Sequence, residues 1–217
     1  MIPGPEQIVA CPRCEGLAKY LTLVSGNTFG ARVWSDGKRI APMLPSPPAV
    51  VKCRHCGECS WLADAKKVGT IPAWGEKGQK VDAAWRAAQE VDEPSEEEYY
   101  QALEKGLAVN AQQERNARVF AWWRSNDAFR ELGRATDRTP AVGATRKNLE
   151  ALASLLEDGD DNDLVMKGEV LRELGDFESA KQTLNRVKSA DFAEVIRQLR
   201  TLCDKRDTCV GELKFGG

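Results

Sequence analysis

Cys11-Pro12-Arg13-Cys14 and, with 38 residues between them, Cys53-Arg54-His55-Cys56 are two copies of one spacing, Cys-x-x-Cys. Two residues between thiolates let a tight turn aim both sulfurs at one cation. Two such turns complete the tetrahedron that zinc takes in closed structural sites. The pattern predicts one structural Zn2+ per chain, held by Cys11, Cys14, Cys53 and Cys56. A thioredoxin-like redox site needs a single pair between a strand and a helix, which the doubled motif is not. Cys59 extends the second pair to Cys-x-x-Cys-x-x-Cys, so a register using Cys59 in place of Cys56 stays open. Its other reading is a small apolar residue on a strand. His55, the only histidine, lies inside the second pair and is expected to be exposed and inert.

The segment between the pairs reads as strands and turns. Tyr20-Leu21-Thr22-Leu23-Val24 has strand composition and breaks at Ser25-Gly26-Asn27. Ala31-Arg32-Val33-Trp34 is a second strand, Ser35-Asp36-Gly37 a hairpin turn in which glycine supplies positive φ, and Lys38-Arg39-Ile40 the return. A proline-rich stretch from Pro42 to Pro48 runs extended. Ala49 to Lys52 is a strand entering the second pair, and Cys59 to Leu62 one leaving it. This order of knuckle, hairpin, knuckle and strand resembles the zinc ribbon (rubredoxin-like) family over about residues 8–66. The resemblance implies the same four cysteine ligands. Two departures stand out: the insert is long, and Glu15 precedes Gly16 where such knuckles often carry glycine directly after the cysteine.

From residue 71 the pattern changes. A linker with a short helix is expected over residues 71–94, glycine- and charge-rich at Gly75 to Gln79 and helical in composition from Val81 to Glu90. Ser95-Glu96-Glu97-Glu98 then reads as a capping box, with Ser95 at the N-cap and Glu98 reaching back. Helices follow over residues 95–217. One runs from about Gln112 to Arg134 with Trp122 and Trp123 in the core, one carries Leu149, Leu152, Leu155 and Leu156, and one runs from Asp191 to Lys205. The stretch Leu164, Gly168, Leu171, Gly175, Phe177, Ala180, Leu184, Val187 resembles a tetratricopeptide repeat at about 162–190. That resemblance implies small residues, Gly168 and Ala180, at a close helix crossing. Asp158 to Glu169 also matches an EF-hand calcium loop at positions 1, 3, 5 and 12, although Asp163 stands where the loop needs glycine. On the repeat reading Glu169 is a helical surface residue, and Asp160, Asn162 or Asp163 caps the helix. The fold class is therefore α+β: a β zinc ribbon over residues 1–70, then an all-α domain.

The chain's 217 residues are 42% hydrophobic with a net charge of -2, so a packed core is expected and a nucleic-acid coat is not. Residues 1–70 carry nine Lys/Arg against five Asp/Glu, a mild basic excess. The first ten residues hold Pro3, Pro5 and Glu6 and no basic region, and no run of 18 apolar residues occurs. A reducing, cytoplasmic compartment and no membrane partner are the expectation. There Cys203 and Cys209 are free thiols. Three functions follow in order. The first is a non-enzymatic adaptor that binds a protein or peptide through the helical domain. The second is nucleic-acid binding through Arg13, Lys19, Arg32, Trp34, Lys38, Arg39, Lys52 and Arg54, where an aromatic lies among cations. The third is an enzyme without a short motif. A lone histidine and a four-thiolate site with no open coordination position argue against the third.

Overall fold

The computed structural model describes residues 1–74, 81–131 and 139–215. Its strands are β1 (Ile2–Ala10), β2 (Leu17–Ser25), β3 (Arg32–Trp34), β4 (Arg39–Ile40), β5 (Val50–Lys52), β6 (Cys59–Trp61), β7 (Lys66–Ile71), β8 (Gln89–Glu90) and β9 (Glu212–Leu213). Its helices are α1 (Ala83–Ala87), α2 (Glu96–Glu104), α3 (Ala111–Glu131), α4 (Gly143–Leu155), α5 (Asp161–Glu173), α6 (Phe177–Leu184) and α7 (Ala193–Asp204). The class is α+β, with the strands carrying the cysteine pairs followed by helices. No helix among the described residues is long and apolar enough to cross a membrane.

Two compact units emerge, and neither is continuous in sequence. The first is Met1–Ala31 with Ile40–Leu107; the second is Arg32–Arg39 with Ala108–Gly217. The sequence places boundaries at residues 70 and 94. In the structure the first unit runs on through α2, and the hairpin tip of the insert belongs with the later helices. The glycine-rich linker at Gly75 to Gln79 and the end of the long helix beyond Glu131 lie outside the described residues.

In the first unit a four-stranded sheet has the order β7-β1-β2-β8. β1 is its central strand despite Pro3 and Pro5. β7 pairs only with Glu6 to Ala10, so both prolines fall where β1 has a single neighbour, and the β1–β2 register is irregular there. A proline without an N–H costs least at such an edge. Ile8 and Val9 of β1 are both buried, as are Val50 and Tyr99. The helix expected over Val81 to Glu90 is only α1. Asp82 caps it by accepting from the Ala84 N–H, and Ala88 leaves helical geometry at ψ 132° so that β8 can pair in parallel with β2. The Trp85 ring lies against Gly69 of β7, where no Cβ would fit. α2 starts at the capping box as expected, with the Ser95 hydroxyl and the Glu98 carboxylate each bonded to the other residue's N–H.

In the second unit Val119 and Trp122 of α3, Leu149 and Leu152 of α4, Leu156 just after α4, and Val170 of α5 form one apolar cluster. α5 and α6 make a helical hairpin. Gly175, at φ 86°, turns the chain between them, and a Cβ on Gly168 would fall 2.6 Å from Leu184 Cδ2. Gly168 therefore does mark a close approach of α5 and α6, while Ala180 is fully buried in a cluster with Phe177, Cys203 and Leu171. Buried charge runs through the same unit. Glu169, Arg172 and Glu173 of α5 are fully buried. This corrects the expectation of a surface Glu169: its carboxylate accepts two hydrogen bonds from Arg172, which also donates to the carbonyls of Asp207 and Cys209. The bonds satisfy the charge and fasten the segment after α7 onto α5.

The acids before α5 do not assemble into a calcium loop. Asp160 caps α5 by accepting from the Asp163 N–H at 2.9 Å, Asp158 pairs with Lys167 at 2.8 Å, and Asp163 is buried against Arg115. Asp161 accepts from the backbone N–H groups of Lys188 and Ser189. Each carboxylate already has a separate partner, and α5 occupies the second half of the would-be loop. Millimolar calcium should leave the melting temperature unchanged in a thermal scan. A calcium-dependent rise that disappears in Glu169→Gln would show that the loop rearranges to bind the ion.

The hairpin tip between β3 and β4 is held by the same network. Gly37 turns it at φ 79°, and the tip packs on α3. Asp36, 1% exposed, is paired with Arg130 and accepts from Asn126 Nδ2 at 3.0 Å and from the Lys38 N–H at 3.1 Å. Asn126 bridges onward to Glu173, which also accepts from Trp122 Nε1 at 2.9 Å. Trp123 Nε1 donates to the Asp36 carbonyl, and Lys38 pairs with Asp127 at 2.7 Å. β9 pairs antiparallel with β3 on its other side.

Candidate metal centre

The knuckles are built alike. The first joins β1 to β2 and the second joins β5 to β6. In the first the Cys11 N–H donates to Gly16 O and the Glu15 N–H to Cys11 O, both at 3.0 Å. In the second the Cys53 N–H donates to Glu58 O at 2.9 Å and the Gly57 N–H to Cys53 O at 2.8 Å. The equivalent positions Glu15 and Gly57 both turn left-handed, at φ 59° and 76°. Glycine takes that conformation freely, while a side chain carries a steric cost of roughly 1–2 kcal/mol. The departure at Glu15 is thus a local strain. Glu15→Gly should stabilise the first unit by about 1 kcal/mol in chemical denaturation; a loss of stability would mean that the Glu15 side chain contributes more than its backbone costs.

Together the knuckles bring four sulfurs into one cluster. The Sγ atoms of Cys11, Cys14, Cys53 and Cys56 all lie within 4.8 Å of one another. Cys11 and Cys56 are 3.9 Å apart, and Cys14 and Cys53 are 3.6 Å apart. These separations are far beyond a disulfide bond. Tetrahedral metal–sulfur bonds of about 2.3 Å require sulfur–sulfur edges of about 3.8 Å, so the donor set fits such an ion. Among the described residues it is the one His/Cys/Asp/Glu group positioned to hold a metal.

As free thiols the four compete for ionisation. The Gly16 N–H favours the Cys14 thiolate, but burial and the Cys56, Cys53 and Cys11 thiols push that group up to about 12. Cys11 moves the opposite way. Burial opposes its ionisation, yet the N–H groups of Arg13 and Cys14 and the Cys53 and Cys14 thiols together draw it down. A divalent cation resolves the conflict, because it allows every ligand to be a thiolate at once.

Cys59 and His55 stand outside the cluster. Cys59 opens β6, opposite Lys52, and burial pushes its thiol up. The His55 ring crosses to the first knuckle and lies on Gly16, where a Cβ would collide with it; its Nε2 is 3.4 Å from Leu17 O. The histidine thus packs one knuckle against the other, a role that its place in the sequence does not reveal.

The eight residues read as nucleic-acid contacts divide between the units, four in each. In the first, Lys19 pairs with Glu6 at 3.1 Å, Lys52 with Glu98 and Arg54 with Asp92 at 3.5 Å, and Arg13 is exposed on its knuckle. In the second, Arg32 pairs with Glu212 at 2.8 Å, Lys38 with Asp127, and Arg39 is exposed. Trp34 is 5% exposed and has the Arg32 and Arg130 guanidinium groups over its ring at 4.7 and 5.6 Å.

Comparison with known protein families, curated proteins and solved structures finds no match for this chain. The cluster itself therefore carries the functional argument. Four thiolates around one ion leave no coordination position for water or substrate, so the arrangement suits cross-linking two knuckles and not activating a ligand.

Proposed function

We propose that the chain is a non-enzymatic adaptor. Its first unit is folded around one structural Zn2+ in a zinc ribbon, and its helical unit presents the surface that binds a protein or peptide partner. The observation that carries the reading is the closed set of four sulfurs within 4.8 Å. Zinc is the metal of choice for such a set, because thiolate ligands in a tetrahedron suit it and no redox function is called on. The adaptor role draws support from the α5–α6 hairpin, whose close crossing at Gly168 and turn at Gly175 have the form of a tetratricopeptide unit. Helical repeats of this kind use side-by-side helices to hold extended or helical peptides.

Two measurements test the proposal. Cobalt exchanged into the site should give the absorption of a tetrahedral four-thiolate ion, unchanged by added anions; a spectrum that shifts with added azide would show an open position and reopen catalysis. Peptides selected from a random library on the intact, zinc-loaded chain should shift backbone amide resonances of residues 108–215. Selection of none overturns the adaptor role. So does retention of single-stranded oligonucleotides with a steep salt dependence, which would favour nucleic-acid binding.

A further inference from the structure

The four clustered sulfurs differ in their access to solvent. Cys14 and Cys56 are exposed, while Cys11 and Cys53 are half-buried, so each knuckle holds one of each kind. The short contacts join unlike sulfurs across the knuckles. Exposed Cys14 lies 3.6 Å from half-buried Cys53, and exposed Cys56 lies 3.9 Å from half-buried Cys11. A metal-bound cysteine is a thiolate, and the thiolate is the nucleophilic form. A small electrophile in solvent therefore meets two nucleophiles, each with a second sulfur close behind it. That is the arrangement of an attacking thiolate beside a resolving one.

We infer that the metal centre is a peroxide-sensitive switch, which exchanges its zinc cross-link for the disulfides Cys14–Cys53 and Cys11–Cys56 while the first unit stays folded. The inference rests on the zinc reading of the cluster and not on the adaptor role. The Cys14 sulfur attacks hydrogen peroxide, the O–O bond breaks, and the departing hydroxide takes a proton to become water. The sulfenic acid so formed is attacked by the Cys53 sulfur, and its hydroxyl leaves, with a second proton, as a second water. Each sulfur gives up one electron, and the peroxide gains both. Cys56 and Cys11 repeat the sequence with a second peroxide. Zinc stays Zn2+ throughout and leaves because its ligands are consumed. Pairing across the knuckles is favoured over pairing within them. The sulfurs have to close from 3.6 and 3.9 Å to only about 2 Å. A Cys14–Cys53 bond also spans 38 intervening residues, against two inside a knuckle, and the longer loop constrains the unfolded chain more. Most of all, a bond across the knuckles replaces the link that the metal supplied.

The test uses the full-length, zinc-loaded chain and excess hydrogen peroxide. A chromogenic chelator should register release of the zinc. Tryptic cleavage after Arg13, Lys52 and Arg54 separates Cys11, Cys14, Cys53 and Cys56 onto four peptides. Mass mapping should then find the Cys14 peptide joined to Cys53 and the Cys11 peptide joined to the one carrying Cys56. That last peptide also holds Cys59, so the same map from Cys59→Ser should be unchanged. The Ile8 and Val9 amides should keep their protection from hydrogen exchange in the oxidised chain, and lose it when a chelator removes zinc under reducing conditions. A chain that carries no zinc at the outset fails the metal reading and this inference together. A loaded chain that keeps its zinc in peroxide, joins Cys11 to Cys14 or Cys53 to Cys56, or loses Ile8 and Val9 protection on oxidation overturns this inference alone.

Discussion

Cys53→Ser should melt the first unit. The purified wild-type chain should carry about one Zn2+, and the variant none. The amides of Ile8 and Val9 in β1, fully or nearly buried, should lose their protection from hydrogen exchange, while those of α4 and α5 keep theirs. The size of the effect follows from what the metal replaces. The two knuckles meet through their sulfurs and through the His55 ring on Gly16, and a structural zinc is worth about 10–16 kcal/mol of apparent folding energy. That exceeds the entire stability of many small units. Absence of zinc from chain purified without chelator, or intact β1 protection in both Cys53→Ser and Cys11→Ser, would defeat the metal assignment.

Arg130→Met should cost the second unit about 3–5 kcal/mol, because it strands the Asp36 carboxylate at 1% exposure with only Asn126 and the Lys38 N–H to meet it. Burial already pushes the Asp36 carboxyl above its ordinary value, against the opposing pull of Arg130. A carboxyl whose folded pKa lies above its unfolded value binds its proton more tightly when folded. The charged form is penalised as pH rises through that interval, and the penalty vanishes in acid. The deficit of Arg130→Met relative to wild type should therefore shrink as pH falls toward the ordinary aspartate range near 4. Adding Asp36→Asn to Arg130→Met should restore part of the loss, since the uncompensated charge is gone. Denaturant midpoints for the four chains across pH measure all of this. Additive losses with no pH dependence would mean that the pair is not coupled.

What could be read from the sequence depended on how local the cause was. Both knuckles were legible because ligand geometry is encoded in two residues of spacing. The Ser95–Glu98 cap and the α5–α6 turn were legible for a similar reason, each being fixed within one turn of helix. β1 escaped notice because Pro3 and Pro5 argue against a strand, and only the register of β7 shows that they sit beyond its reach. Glu169 read as solvent-facing because charge usually means surface, and nothing local announces that its partner Arg172 finds the Asp207 and Cys209 carbonyls. The pairing of β3 with β9 was the least visible. It draws on segments from opposite ends of the chain, and no short motif spans them.

The pairing of β3 with β9 has a consequence during synthesis. Arg32 and its partner Glu212 are separated by 180 residues. At roughly 5–20 residues per second, a ribosome needs roughly 10–40 s to make the second after the first. Throughout that interval the β3 edge that β9 later covers stays unpaired, and until α3 is made the Trp34 ring and the Asp36 carboxylate also lack Arg130 and Asn126. Products of translation that stall or end before β9 keep that strand edge exposed for good. Those truncated chains, and not the finished protein, should be the forms that aggregate and that cellular holdases retain.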